Sequence, residues 1–153
     1  MRIEKEELPS LMPHKGSMLL LTGARDYKLE ERSIWAECLI TADMLFYDEK
    51  IGGVPAWLGF ELMAQAISVL SGLRDRLKGE KPKIGFIMSV SSTRILVPSF
   101  RIGSKVEIRV KQRDSIDMVY NFAGEIFLEG RQVMESRLTV MDASSELLTA
   151  LRA

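Results

Sequence analysis

Three polar side chains share one face of an otherwise apolar stretch, and one of them is a carboxylate. Glu61, Gln65 and Ser68 are four and three residues apart, the spacing of neighbours on a helix. Apolar surroundings penalise the charged form, so we expect a raised pKa for Glu61 and a role as general acid or base. The alternative is a structural carboxyl group held by Gln65. Gln65 itself has two open roles, orienting Glu61 or packing beside it.

The one histidine of the chain, His14, is the second candidate. Imidazole titrates near neutral pH, which suits a general base. A single histidine can equally cap or pack a strand, and both roles are open here. The sequence has no cluster of histidine, cysteine and carboxylate at ligand spacing, and no glycine pattern typical of nucleotide sites. We therefore predict neither a metal nor a cofactor.

A long helix over residues 55–77 should carry Glu61. Pro55 suits a first helical turn, whereas Gly79 followed by Pro82 is typical of a helix end. The stretch is apolar almost all the way round, which predicts a helix enclosed by other structure. Glu61 and Gln65 make it too polar for a predicted membrane span.

Strand-like patterns occupy most of the remaining sequence. A short helix or turn is expected at 4–12, an irregular loop at 41–53 and a short helix at 145–151. Strands are predicted at 18–29, 33–40, 84–97, 105–111, 118–128 and 132–141. The order predicts one α+β domain over residues 1–153, in which an antiparallel sheet of about six strands wraps around one long central helix.

Charge and cysteine content exclude several classes of partner. The 153 residues contain 21 basic and 21 acidic side chains, so there is no electrostatic basis for binding nucleic acid or an anionic membrane. Cys38 is the one cysteine and cannot form an internal disulfide, which suits a reducing compartment. The charged N-terminus is unlike a signal peptide. We predict a cytoplasmic protein.

Two motifs resemble those of a known enzyme family. Residues 11–21, LMPHKGSMLLL, resemble the LPH-x-x-P-x-L-L-L-D opening of bacterial β-hydroxyacyl-acyl carrier protein dehydratases. Residues 54–66, VPAWLGFELMAQA, resemble the MPG-x-L-x-x-E-A-M-A-Q-A helix start of the same family. The similarity covers roughly residues 8–141. With Trp57 present and no histidine in the preceding loop, the chain looks closest to the dehydratase-like proteins of aryl-polyene-type fatty acid clusters. The resemblance implies the hotdog fold.

The resemblance also implies site residues. In that family a helix glutamate and a loop histidine flank the substrate, and backbone N–H groups at the helix start polarise the thioester carbonyl. Glu61 matches the glutamate, but Tyr47 stands where the loop histidine would be, so His14 is the remaining source of imidazole. The implied catalytic residues are Glu61 and His14. The implied substrate-binding residues are Ala56, Trp57, Gln65 and Tyr47, with Ala56 and Trp57 as the N–H donors.

The function implied by this resemblance is dehydration of β-hydroxyacyl thioesters on an acyl carrier protein to trans-2-enoyl thioesters. A homodimer or larger hotdog assembly is implied, with the acyl site at the subunit interface. Two alternatives stay open. One is an acyl thioesterase that uses the helix carboxylate. The other is a degenerate acyl-binding subunit paired with an active dehydratase, which the missing loop histidine favours.

Overall fold

The computed structural model describes residues 1–82 and 84–143. Within these residues a seven-stranded antiparallel sheet wraps around one helix, α1 (Gly59–Leu77). The strands in chain order are β1 (Arg2–Glu4), β2 (Gly23–Lys28), β3 (Ser33–Leu39), β4 (Gly53–Pro55), β5 (Ile84–Ile95), β6 (Ser99–Arg101), β7 (Lys105–Ile116), β8 (Val119–Leu128) and β9 (Arg131–Ala143). Their order across the sheet is β1-β2-β3-β7-β8-β9-β5, and β4 pairs with β6 in a separate ribbon.

The core lies between α1 and the inner face of the sheet. α1 packs against β3, β7 and β8. Its buried apolar side chains include Leu62, Met63, Ala66, Val69 and Leu70. Burying one large aliphatic side chain contributes roughly 1.5–3 kcal/mol, so this face holds the helix to the sheet. The predicted helix start is displaced, because a 3-10 turn over Ala56–Leu58 precedes α1.

One stripe of α1 is not covered by the sheet. Glu61, Ala64, Ser68 and Ser71 are partly exposed and recur every three or four residues. Most of the helix is buried, as its apolar pattern predicts, and this stripe is left open. The predicted line of polar side chains is also divided, because Gln65 is rotated by roughly 40° from Glu61 around the helix axis and lies inside the core.

Six of the seven strands overlap the six predicted strands, but the predicted strand 18–29 begins before β2, where a 3-10 turn Gly16–Met18 lies, and β7 extends beyond residue 111. β1 was missed because three residues are too few to show a period of two, and the β4–β6 ribbon was read as loop and turn. Residues 4–12 contain a 3-10 helix, Lys5–Ser10. The predicted helix at 145–151 lies outside the described residues, and the single domain over 1–153 stays a prediction.

The segment Ala56–Leu77 is long and apolar enough to cross a membrane by length and composition alone, with a mean hydropathy of 1.3. This corrects the prediction that its polar residues make it unsuitable as a span. In the apolar 18-residue window of that segment, 67% of the residues are buried inside the fold. A core helix enclosed by a sheet has the same composition, and the packing of α1 is that of a core helix.

Strand β5 forms one edge of the sheet and is exposed from Gly85 to Ile95. Its exposed apolar side chains are Phe86, Ile87, Met88, Val90 and Ile95. An edge strand has unpaired backbone N–H and C=O groups, and natural proteins usually protect such edges with charge or short length. A twelve-residue edge strand with five exposed apolar side chains is instead typical of a surface that pairs with another chain.

Toward the other edge of the sheet, the buried carboxylate of Glu37 joins β1, β3 and β7. The Glu37 side chain on β3 is 5% exposed and accepts hydrogen bonds from Arg2 on β1 and from Lys105 Nζ on β7, the latter at 3.0 Å. Burial acts to raise the pKa of Glu37, but the hydrogen bonds and charges of Arg2 and Lys105 lower it overall. Glu37 therefore stabilises the fold above its usual pKa near 4.5, and this contribution is lost as the pH falls through the lowered value.

We expect Glu37→Gln to reduce the free energy of unfolding by about 1–2 kcal/mol near pH 7, since its two partners are exposed and screened. The loss should be smaller at pH 3 than at pH 7, because the wild-type carboxylate loses its charge as the pH falls through the lowered pKa of Glu37. Urea unfolding at both pH values measures the difference, with Glu31→Gln in an exposed turn as the matched control. Equal losses for Glu37→Gln at both pH values would contradict the ionic explanation.

Candidate active site

A groove of about 290 Å³ follows the open stripe of α1. Its lining residues are His14, Glu61, Ala64, Ile67, Ser68, Ser71, Gly85, Phe86, Ile87, Val140 and Asp142. From Glu61 to Ser71 the helix rises by about 15 Å, so the groove is long enough for an elongated ligand. Mixed apolar walls with a few polar groups are the usual character of a small-molecule site.

His14 and Glu61 meet in this groove. His14 Nε2 lies 3.3 Å from Glu61 Oε1, and the two side chains are 22% and 39% exposed. His14 belongs to an irregular segment between the 3-10 helix Lys5–Ser10 and the 3-10 turn Gly16–Met18. The structure therefore brings both predicted catalytic residues into one cavity within a single chain.

Gln65 connects the segment that carries His14 to the helix that carries Glu61. Its Oε1 accepts the N–H of Leu20 at 2.9 Å and that of Leu21 at 3.4 Å. Its Nε2 donates to Met18 O at 2.8 Å and to Glu61 Oε1 at 3.1 Å. All four hydrogen-bonding positions of the amide are occupied, and the side chain is fully buried. These backbone partners fix which end of the amide faces Glu61.

The expected raised pKa of Glu61 is not what the structure indicates. Burial does act to raise the pKa of this carboxyl group, but the contact with His14 and the hydrogen bond from Gln65 outweigh it. The pKa of Glu61 is lowered overall. Glu61 is therefore a carboxylate near neutral pH before the reaction, which suits a general base better than a general acid.

The other predicted substrate-binding residues, Ala56, Trp57 and Tyr47, do not line the groove. The N–H of Ala56 donates to Pro98 O at 3.1 Å, which occupies the donor that the resemblance assigns to a thioester carbonyl. The Trp57 side chain is 53% exposed and contacts the Phe46 ring edge to face, with centroids 5.4 Å apart. Tyr47 is half-buried and packs against the core.

Several groove residues were not predicted from the sequence. Ala64 and Ser71 extend the Glu61 stripe at helical spacing, a signal that was present but obscured by the apolar residues between them. Phe86 and Ile87 of β5 form the facing wall, and no local pattern indicates that this strand lies beside α1. Among the described residues, no group of three or more histidine, cysteine, aspartate or glutamate side chains could hold a metal ion.

Comparison with known proteins identifies relatives that match nearly the whole chain. The chain is 24% identical over 144 residues to the 3-hydroxyacyl-[acyl-carrier-protein] dehydratase FabZ of Clostridium acetobutylicum, covering 92% of this chain and 99% of the relative. It superposes on the dehydratase heterocomplex ApeI:P from Xenorhabdus doucetiae with a TM-score of 0.86 and 25% identity, covering 94% of this chain and 95% of that one.

A more distant structure shares the fold alone. A hypothetical thioesterase protein from Streptococcus pneumoniae TIGR4, solved with coenzyme A, has a TM-score of 0.58 and 10% identity, covering 79% of this chain and 84% of that one. The predicted hotdog fold is confirmed by these neighbours together with the sheet that wraps α1. The family model of the ApeP dehydratases matches residues 6–151, and the chain therefore belongs to the ApeP-like dehydratase family.

Proposed function

We propose that this protein removes water from β-hydroxyacyl thioesters carried by an acyl carrier protein and releases trans-2-enoyl thioesters. The observation that carries the proposal is the His14–Glu61 pair, 3.3 Å apart in one groove. Membership of a dehydratase family supports the reaction class. The relative from Clostridium acetobutylicum is named for a 3-hydroxyacyl group on an acyl carrier protein, which supports the substrate class.

The reaction requires two proton movements at neighbouring carbons. One proton leaves the carbon beside the thioester carbonyl, and one proton is added to the departing hydroxyl group. A carboxylate held in place by an imidazole is a suitable group for such acid–base steps. The acyl chain would lie along the stripe of small side chains on α1, with Phe86 and Ile87 opposite.

We further propose that the protein works as a hotdog assembly in the cytoplasm, paired through β5. The exposed apolar edge of β5 supports this, because a second subunit would pair its backbone groups and cover its side chains. In that assembly the predicted substrate contacts of Trp57 and Tyr47 would be made with the help of the second subunit, whereas the N–H of Ala56 stays bonded to Pro98 O.

Incubation of the purified full chain with 3-hydroxyoctanoyl-acyl carrier protein tests the activity. The expected result is loss of one water from the carrier-bound acyl group, measured by mass spectrometry, and a new enoyl thioester absorbance. Parallel reactions with the coenzyme A thioester show which carrier is preferred. Release of free thiol without an enoyl product would contradict dehydration and identify a thioesterase.

A second candidate function is an acyl-binding subunit that assists an active dehydratase. Tyr47 in place of the expected loop histidine favours it, and the ApeI:P relative is itself a heterocomplex. An absence of turnover by the chain alone, with turnover restored by a second hotdog subunit, would support this candidate over the first.

The β5 edge makes a direct prediction about assembly. Val90→Lys places a charge on this edge and should convert the assembled protein to a monomer, because pairing would bury the charge without a partner. Size-exclusion chromatography with light scattering measures the change in mass. Ile116→Lys is the matched control, since Ile116 is equally apolar and 75% exposed but lies at the end of β7. An unchanged mass for Val90→Lys would exclude β5 as the interface.

A further inference from the structure

The two oxygens of the Glu61 carboxylate have different environments. Oε1 contacts both neighbouring side chains, with His14 Nε2 at 3.3 Å and Gln65 Nε2 at 3.1 Å. Oε2 accepts no hydrogen bond from the described residues, although the side chain lines the groove and is 39% exposed. Oε1 is therefore committed to the protein, while Oε2 is the oxygen left for a ligand.

The same contacts define the state of His14. A carboxylate oxygen attracts an N–H and repels a nitrogen lone pair, so the nitrogen beside Glu61 Oε1, Nε2, carries a hydrogen. In neutral imidazole the basic lone pair then lies on Nδ1. That atom is buried and has no hydrogen-bond partner in the described part of the chain. His14 consequently presents no accessible basic nitrogen to the groove.

Gln65 reinforces the asymmetry. Its amide cannot be reversed, because its Oε1 is held by the backbone N–H groups of Leu20 and Leu21. Its Nε2 must therefore point a hydrogen at Glu61 Oε1. A proton taken up by the carboxyl group is directed to Oε2, since an O–H at Oε1 would face two donors.

We infer that Glu61 Oε2 is the single proton-transfer atom of the proposed dehydration, and that His14 and Gln65 are positioning residues that hold Oε1. The inference rests on the proposed function. Oε2 takes the proton from the α-carbon, the C–H electron pair becomes the new C=C bond, and the C–O bond breaks with its pair remaining on oxygen. The same proton passes from Oε2 to that oxygen, which leaves as water. The step needs no further reactant.

Few other charged groups face this carboxylate. Among the described side chains that line the groove, the remaining ionisable group is Asp142 on β9, which lies 3.4 Å from Arg74. Glu61 is therefore the group that should govern the acid limb of the activity profile. The reaction requires the carboxylate form of Glu61. We therefore expect activity to decrease as the pH falls through the pKa of Glu61, a pKa that the contacts with His14 and Gln65 lower.

The first test measures the tautomer of His14 and does not depend on activity. The chain has one histidine, so ¹⁵N-histidine labelling of the full protein produces signals from His14 alone. We expect the hydrogen on Nε2 when the ring is neutral. A neutral ring with the hydrogen on Nδ1 would overturn the inference while leaving the proposed function intact.

The second test compares substitutions that do and do not retain a donor. His14→Gln keeps an N–H group but cannot act as a base. Its kcat should remain within about tenfold of wild type. Removal of a true acid–base group would instead lower kcat by about 10²–10⁴-fold. His14→Leu removes the donor and should shift the acid limb to higher pH. A His14→Gln loss as large as that of Glu61→Gln would make the imidazole the base and overturn the inference.

The failure of the inference and that of the proposed function are distinguishable. No turnover of any hydroxyacyl thioester by wild-type protein, alone or with a second hotdog subunit, would overturn the dehydratase function and with it the role of Oε2. Turnover by wild type with an inactive, folded His14→Gln would overturn the inference alone. Far-ultraviolet circular dichroism and thermal melting establish that each variant is folded.

Discussion

Glu61→Gln should lower kcat for dehydration by about 10²–10⁴-fold with little change in KM, because the amide can neither accept nor deliver a proton. The substitution preserves the shape of the side chain, and its carbonyl oxygen can still accept the hydrogen bond from Gln65. The groove should therefore bind substrate as before. The rate of enoyl thioester formation by wild type and variant measures the effect.

The control for this substitution is the same carboxylate-to-amide change outside the groove. Glu31→Gln lies in the exposed turn between β2 and β3 and should leave kcat unchanged. We expect Glu61→Gln to lower the free energy of unfolding by at most about 1 kcal/mol, because the carboxylate is partly exposed. Thermal melting of wild type and variant checks this. A Glu61→Gln activity within tenfold of wild type would refute a catalytic role for this carboxyl group.

The elements that could be predicted from sequence are those whose signals are local. The helix end at Gly79, with φ +70°, follows from a glycine placed after an amphipathic turn. The alternation of Val106, Ile108 and Val110 identifies β7, because the period of two persists over the first eight of its twelve residues. Such patterns depend on neighbours within a few residues, and the fold class followed from their order.

What could not be predicted depends on contacts between distant segments. The apolar neighbours of Glu61 in the sequence indicate partial burial, which acts to raise the pKa of Glu61. The groups that reverse this effect are His14, from the opening segment, and the Gln65 amide, which that segment orients. The resemblance supplied Glu61 and Gln65 as motif residues. It could not supply the distance of His14 from Glu61, nor the Pro98 carbonyl that occupies the N–H of Ala56.

The position of His14 depends on how the opening segment docks on α1. On one side of His14, Gln65 binds the backbone at Met18, Leu20 and Leu21. On the other side the backbone of Leu11 crosses α1 at Gly72, where an added Cβ would lie 1.9 Å from Leu11 O. Backbone carbonyls cannot move aside as a flexible side chain can, so only glycine permits this crossing. The small residue in mid-helix thus serves the site as well as the packing.

Gly72→Ala should therefore lower the free energy of unfolding by about 3 kcal/mol, measured by urea unfolding, because overpacking here pushes the opening segment away from α1. Helix propensity alone predicts the opposite sign, a gain of about 1 kcal/mol for alanine. The control is Gly79→Ala, which meets no atom within 4 Å and should lose about 1–2 kcal/mol through its positive φ. Displacing the segment also separates His14 from Glu61, so kcat should fall in Gly72→Ala but not in Gly79→Ala. A more stable, fully active Gly72→Ala would show that the crossing at Leu11 does not position His14.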